Sequence, residues 1–238
     1  MSLPIGIRNN YYLVSSKDLS LTEEGESGIL YYCTGEKVEC ERQNDIGYYV
    51  IDKETVYTCQ EDGIGITCKR STVTLETCSN ARHIGKLFSS STDTTISLCL
   101  NYDTEASTIV LDGSNTGNYL VYKNVDPKAN VFGIHGVNEA YAIIGIQDKV
   151  VRLNSTYSNG LKYVYADSST NRIMEKGDKN YPKVTGSSGE PNEDLIMELL
   201  CNNGHCKPSD TEVTLTSFTE GKKLTFHSNK YKKKKKNI

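Results

Sequence analysis

Eight cysteines, four histidines and a scatter of carboxylates are the residues of this chain most able to do chemistry. The cysteines stand at 33, 40, 59, 68, 78, 99, 201 and 206, in pairs separated by short, turn-rich stretches. Such pairs can hold a metal, act as thiolates or form disulfides. Structural zinc takes four ligands, and Cys201, His205 and Cys206 bring no Cys-x2-Cys partner, so no metal or cofactor is expected. Asn202-Asn203-Gly204 is a tight-turn sequence that brings Cys201 and Cys206 together, which fits a bridge. A bridged cysteine is not a thiolate, and the nucleophile reading falls with it.

An even count in strand-like contexts favours disulfides and an oxidising compartment. Eight cysteines allow about 100 connectivities, and sequence alone does not choose among them. The spacings favour nearest neighbours: Cys33 with Cys40, Cys59 with Cys68, Cys78 with Cys99, and Cys201 with Cys206. Chain entropy assigns each such bridge roughly 2–3.5 kcal/mol.

Other catalytic signatures are missing. There is no G-x-S-x-G, no P-loop and no G-x-G-x-x-G opening a helix. A glycosidase pair can be drawn from Asp62, Glu105, Asp112 and Glu139, but nothing marks two of them above ordinary surface charge. The chain therefore reads as a non-enzyme. The tyrosine doublets are more suggestive. In a strand, neighbours face opposite ways, so one member of each doublet packs and the other meets solvent. Tyr31, Tyr48, Tyr49 and Tyr57 are the candidates for a partner-binding surface, since tyrosine is a favoured anchor. Packing on neighbouring units is the competing reading. Asn154-Ser155-Thr156 is a glycosylation sequon.

The elements that must position these residues are short strands. Gly47-Tyr48-Tyr49-Val50-Ile51 leads through a polar turn to Val56-Tyr57-Thr58-Cys59. A further turn at Glu61-Asp62-Gly63 leads to Cys68. β-Branched and aromatic runs bounded by Gly and Asp are strand and hairpin signals. Residues 28–40 form a compressed version, and Ile84 to Phe88 is expected to pair with Ile96 to Leu100 across the Ser/Thr/Asp turn at 89–95. Between about 102 and 185 the rhythm continues without cysteines. Helical periodicity is nearly absent, so the fold is expected to be all-β.

Gly-plus-aliphatic starts at 47, 85 and 117 give a loose repeat, which favours a stacked or β-solenoid-like array of hairpins tied by disulfides. A β-sandwich is the alternative. The expected division is a β-rich repeat region over 1–185, a linker at 186–192, a further Cys-bearing hairpin unit at 193–220, and a disordered tail over 221–238. That tail carries five consecutive lysines at 232–236, and like charges at such density stay solvated.

With 238 residues, a net charge of −3 and no apolar run long enough to span a bilayer, the chain shows no global attraction to nucleic acid and no membrane span. Sixteen tyrosines against four phenylalanines and no tryptophan suit thin, half-exposed sheets. The cysteines point outside the cell, while the first residues lack a signal peptide's apolar core. A fragment of a longer secreted protein is the expectation that reconciles the two.

On Gly47-Tyr48-Tyr49, Val56-Tyr57-Thr58-Cys59 and Cys68, the chain resembles the repeat unit of scaffoldins from anaerobic gut fungi. Those are large, secreted, non-catalytic proteins that organise cellulosomes. Cys33/Cys40 and Leu199-Leu200-Cys201…Cys206 are similar to the second half of that unit, and Cys78 to Cys99 to a variant of it. The resemblance spans roughly 28–101 and 193–206. It implies a cohesin-like scaffold segment whose partners are dockerin-bearing, plant-wall-degrading enzymes. The alternative is a surface or wall-associated protein that adheres to polysaccharide through exposed tyrosines.

Overall fold

The structure is a computed structural model and describes residues 9–23, 25–35, 39–63, 65–90, 94–102, 106–126, 131–132, 140–154, 162–167, 169–175, 178, 196–208, 213–216 and 223–226. Among these the fold is all-β, without a helix and without a closed barrel. Among the described residues no helix is long and apolar enough to cross a membrane.

The chain opens with β1 (Asn10–Val14), β2 (Ser27–Thr34) and β3 (Glu39–Arg42), then the repeat-like unit forms β4 (Gly47–Asp52), β5 (Thr55–Glu61) and β6 (Ile66–Ser71). A second group follows: β7 (Leu87–Phe88), β8 (Ser97–Tyr102) and β9 (Ala106–Val110). After β10 (Gly117–Tyr122) come β11 (Tyr141–Gln147), β12 (Val150–Leu153) and β13 (Lys162–Asp167). The last strands are β14 (Ile196–Asn202), β15 (His205–Pro208), β16 (Val213–Thr216) and β17 (Lys223–Phe226).

The long sheet runs β1-β2-β6-β5-β4-β12-β11-β15-β14-β13, with β3 added on β2 and β10 added on β11. Strands β7, β8 and β9 form a separate three-stranded sheet. Every described pairing is antiparallel. A β-solenoid stacks successive coils in parallel, so of the two expected architectures the sandwich-like one fits.

Strands β4, β12, β11 and β10 make the middle layer. One face carries Tyr48, Val50, Val151, Ile144 and Val121 onto the three-stranded sheet, where Leu98, Leu100 and Ile109 meet them with Phe132. The other face is covered twice. At one end Tyr49 and the Cys59–Cys68 bridge lie under Leu13 and Leu30 of β1 and β2. At the other end Leu120 and Ile143 lie under Val164, Ala166 and Leu199 of β13 and β14. Two-sided coverage explains why Gly47-Tyr48-Tyr49-Val50 reads as a continuous apolar run, all four residues being buried.

Gly47 is needed for a separate reason. Its φ of 150° is one that side-chain-bearing residues rarely adopt. A Cβ there would also overlap the carbonyl oxygen of Val151 on the neighbouring strand β12. The turn of β14–β15 shows the same need at Gly204, with φ 77° and the Asn154 carbonyl oxygen 2.7 Å from where a Cβ would sit.

All eight cysteines are bridged, in the pairs Cys33–Cys40, Cys59–Cys68, Cys78–Cys99 and Cys201–Cys206. Three of these join residues directly opposite on adjacent strands, with Cα atoms 4.1, 4.0 and 4.1 Å apart. Cys78–Cys99 ties a loop to β8 over 5.6 Å. Four disulfides are compatible with an extracellular location.

The hairpin expected at 193–220 joins the long sheet, because β15 pairs with β11 through Cys206 and His205. Residues 186–192 and the lysines at 232–236 lie outside the described residues. Within the stretch expected to be a disordered tail, Lys223–Phe226 pairs with Val213–Thr216 as a two-stranded sheet.

Candidate binding groove

A groove of about 710 Å³ runs between β9 and the turn that follows β13. Its first wall is Ser107, Thr108, Ile109 and Val110, four consecutive strand residues. Side chains alternate along a strand, so four in a row border a groove only along the strand's edge. Local hydrogen bonds say which edge. The Leu111 N–H donates to the Ile96 carbonyl at 2.8 Å, so Leu111 and Ile109 turn their main chain toward β8. Cys99, opposite Thr108, is engaged elsewhere: its N–H donates to the Lys86 carbonyl and its carbonyl accepts from the Gly85 N–H. Thr108 and Val110 therefore direct their main-chain groups into the groove. The Val110 carbonyl accepts the Asn115 Nδ2–H at 3.0 Å.

The second wall is built by Asp167. Its Oδ1 accepts from the Ser169 N–H at 2.8 Å, the Ser169 hydroxyl at 2.5 Å and the Thr170 N–H at 3.2 Å. This is an Asx turn, the local structure that Asp favours over a strand. Burial pushes the Asp167 carboxyl up, but the bonds from Ser169 and Thr170 together outweigh it and hold it below its ordinary value. The turn is fastened on both sides. The Leu120 N–H donates to the Asn171 carbonyl at 2.7 Å and the Met174 N–H to the Tyr165 carbonyl at 2.9 Å. Asp178 Oδ2 accepts the Glu175 N–H at 2.7 Å.

Arg172 completes this wall. Its side chain is exposed beside Tyr119 and Gly117, and no carboxylate among the described residues lies within ion-pair distance of it. Buried Tyr119, Ile109 and Ile173 form the floor. Among the described residues the arrangement offers an unpaired main-chain edge, a guanidinium without an ion-pair partner and two carboxylates engaged by turns. A glycosidase acid must keep its proton near neutral pH, and Asp167 is shifted the opposite way.

The sequence-predicted tyrosines divide. Tyr48 and Tyr49 are both buried, at 6% and 0% exposure, which corrects the expectation that one of the doublet faces solvent. The cause is the double coverage of β4. Tyr48 donates its hydroxyl to the Gly85 carbonyl at 2.8 Å and meets Phe132 edge-on. Tyr49 lies edge-on to Tyr11 at 5.3 Å, with the Arg152 guanidinium 5.4 Å over its ring. Burial pushes its hydroxyl up to about 12 against the lowering effect of Arg152. Tyr31 and Tyr57 are half-buried, and Tyr57 joins Tyr11 in an aromatic cluster at 6.5 Å.

Asn154 is half-buried, and the Nδ2 that would carry a sugar donates to Asn118 Oδ1 at 2.7 Å. Asp112 is engaged by Ser114, whose hydroxyl and N–H donate to it and lower its pKa. Asp62 Oδ1 accepts the Gly65 N–H, while Glu105 and Glu139 lie outside the described residues. His205 sets Nε2 2.9 Å from the Phe132 carbonyl, beside the Cys201–Cys206 bridge. No group of three or more His, Cys, Asp or Glu among the described residues is placed to hold a metal.

No family model, curated protein or solved structure matches this chain. The site therefore rests on geometry. Sequence reasoning missed Thr108 and Arg172. The Asx-turn pattern Asp167-x-Ser169-Thr170 was a usable local signal, but nothing local placed it opposite β9.

Proposed function

We propose that this chain is a non-catalytic extracellular binding module that docks the dockerin modules of plant-cell-wall-degrading enzymes. The observation that carries the reading is the groove: an open cleft, within the usual size of ligand sites, walled by a strand edge and a fastened turn. Paired hairpins tied by cross-strand disulfides suit a rigid platform, and rigidity lowers the entropy lost on docking. The scaffoldin-like units at Gly47 to Cys68 and their partial copies supply the choice of partner.

The test is a pull-down of gut-fungal dockerins by the oxidised chain. Retention that disappears on reduction supports the reading, and failure of the folded, oxidised protein to retain any dockerin refutes it. Adhesion to polysaccharide is the second reading, favoured by the half-buried cluster of Tyr11, Tyr32 and Tyr57. Depletion of the protein by insoluble cellulose or chitin, lost in Tyr57→Ala, would favour it.

A further inference from the structure

We infer that the groove takes its partner by strand addition: an extended polypeptide segment pairs with the free edge of β9 and sets a carboxylate on Arg172. The inference rests on the reading of the chain as a protein-binding module and specifies how and where binding occurs.

The described sheet edges are not treated alike. The outer edge of β1 is covered at its C-terminal end by residues 21–22, through the Val14–Leu21 bridge and the Thr22 N–H donating to the Leu13 carbonyl. Those of β10 and β13 are both covered by residues 171–174, through bridges from Tyr119 to Arg172 and from Ala166 to Ile173. Strand β3 bears Glu39, Glu41 and Arg42, charges that discourage edge pairing. Strand β9, Ala-Ser-Thr-Ile-Val, has neither charge nor proline, and among the described residues it has no cover and pairs with β8 alone. An unprotected edge is a template for another strand.

The donor and acceptor that such a strand would use are on Thr108, because Cys99 has committed its own main chain to residues 85 and 86. A five-residue strand offers about 17 Å of edge. The groove between this edge and the Asp167 turn leaves the room that an added strand needs. Charge then selects among strands. Asp167 and Asp178 already accept turn hydrogen bonds, whereas Arg172 has no ion-pair partner among the described residues. A guanidinium in a fixed turn beside the groove is matched by a carboxylate. Bonds to the main chain of Thr108 favour a polypeptide over a sugar, which has no regular N–H and C=O ladder to pair with it.

The experiment is selection of a random heptapeptide display library on the oxidised chain, with the winning peptide synthesised and titrated against three proteins. These are the wild type, Thr108→Pro and Arg172→Glu, each checked for unchanged thermal unfolding. Proline is tolerated where an edge N–H faces outward, and Arg172 is exposed, so both variants are expected to fold. The expected result is an Asp- or Glu-bearing peptide that slows amide exchange at Thr108. Its affinity should fall about tenfold or more in each variant. An empty selection, peptides without carboxylates, or binding indifferent to both substitutions overturns the inference. Should Thr108→Pro unfold, Arg172→Glu and the Thr108 exchange rate decide alone. Cello-oligosaccharide that protects Thr108 while no peptide does would also overturn it. Dockerins that bind wild type and variants equally would leave the proposed function standing and remove the strand site. Peptides that bind at β9 while no dockerin binds would do the reverse.

Discussion

Tyr48 and Tyr49 are adjacent in the chain yet occupy different cores. The Tyr48 hydroxyl donates to the Gly85 carbonyl on one face of β4, while the Tyr49 ring packs edge-on to Tyr11 on the other. One strand thus fastens the three-stranded sheet on one side and the β1–β2 hairpin on the other.

Removing this double anchor should be costly. Tyr48→Ala is expected to lower the unfolding free energy by about 3–5 kcal/mol, as deletion of a buried aromatic does. Tyr48→Phe keeps the ring but leaves the Gly85 carbonyl without that donor, at about 1–3 kcal/mol. Tyr31→Ala, on a half-buried tyrosine, should cost about 1 kcal/mol or less. Urea unfolding of the three variants checks the ranking, and equal losses at positions 31 and 48 would contradict the two-core arrangement.

Gly47→Ala tests the contact between β4 and β12. The φ of 150° and the Val151 carbonyl act together. Backbone strain and overpacking should sum to about 2–6 kcal/mol. Gly113→Ala is the control, since its φ is also positive at 92° but nothing lies within 4 Å. It should cost only about 1–2 kcal/mol. Parallel denaturation of the two variants reads the difference.

The four bridges should differ in worth. Loop entropy grows with the span closed, which is 21 residues for Cys78–Cys99 and 5 for Cys201–Cys206. The double variant Cys78→Ala/Cys99→Ala is expected to lose about 3 kcal/mol, against about 2 for Cys201→Ala/Cys206→Ala. Intact mass should rise by about 8 Da on full reduction, one hydrogen per cysteine. Free thiols in the native protein would contradict the bridges.

Two carboxyls should move stability with pH in opposite senses. The Asp167 pKa is depressed in the folded chain. Its contribution is present above the unfolded value of about 4 and lost as pH falls through the lower folded value. Asp167→Asn should therefore destabilise at neutral pH and flatten the acid limb of a stability–pH curve. Burial raises the Glu198 pKa, and its Oε1 is buried without a hydrogen-bond partner among the described residues. Protonation relieves that cost, so Glu198 favours folding below its unfolded pKa and opposes it as pH rises through the folded one. Glu198→Gln should stabilise at neutral pH and change little in acid. Denaturation at several pH values measures both.

Hairpins were the legible part of this fold. The tie from Cys59 to Cys68 and the tight turn at Asn203-Gly204 follow from signals within about ten residues. The pairing of Val151 on β12 with Tyr48 on β4 joins residues far apart in sequence, and no local pattern encodes it. The same holds for the groove. Asp167, Ser169 and Thr170 spell out their own turn, but its seat opposite Thr108 depends on β10 lying against that turn through Asn171.

The amino-acid sequence by itself determined the all-β class, the antiparallel hairpins and a disulfide-rich construction. Alternation, turn residues and paired cysteines act over short distances. Only the tertiary structure decided that Tyr48 and Tyr49 are both interior and that β9, among the described residues, is paired on one side alone, beside Arg172. Alternation records which side chains share a face, and says nothing of how many layers come to cover each one.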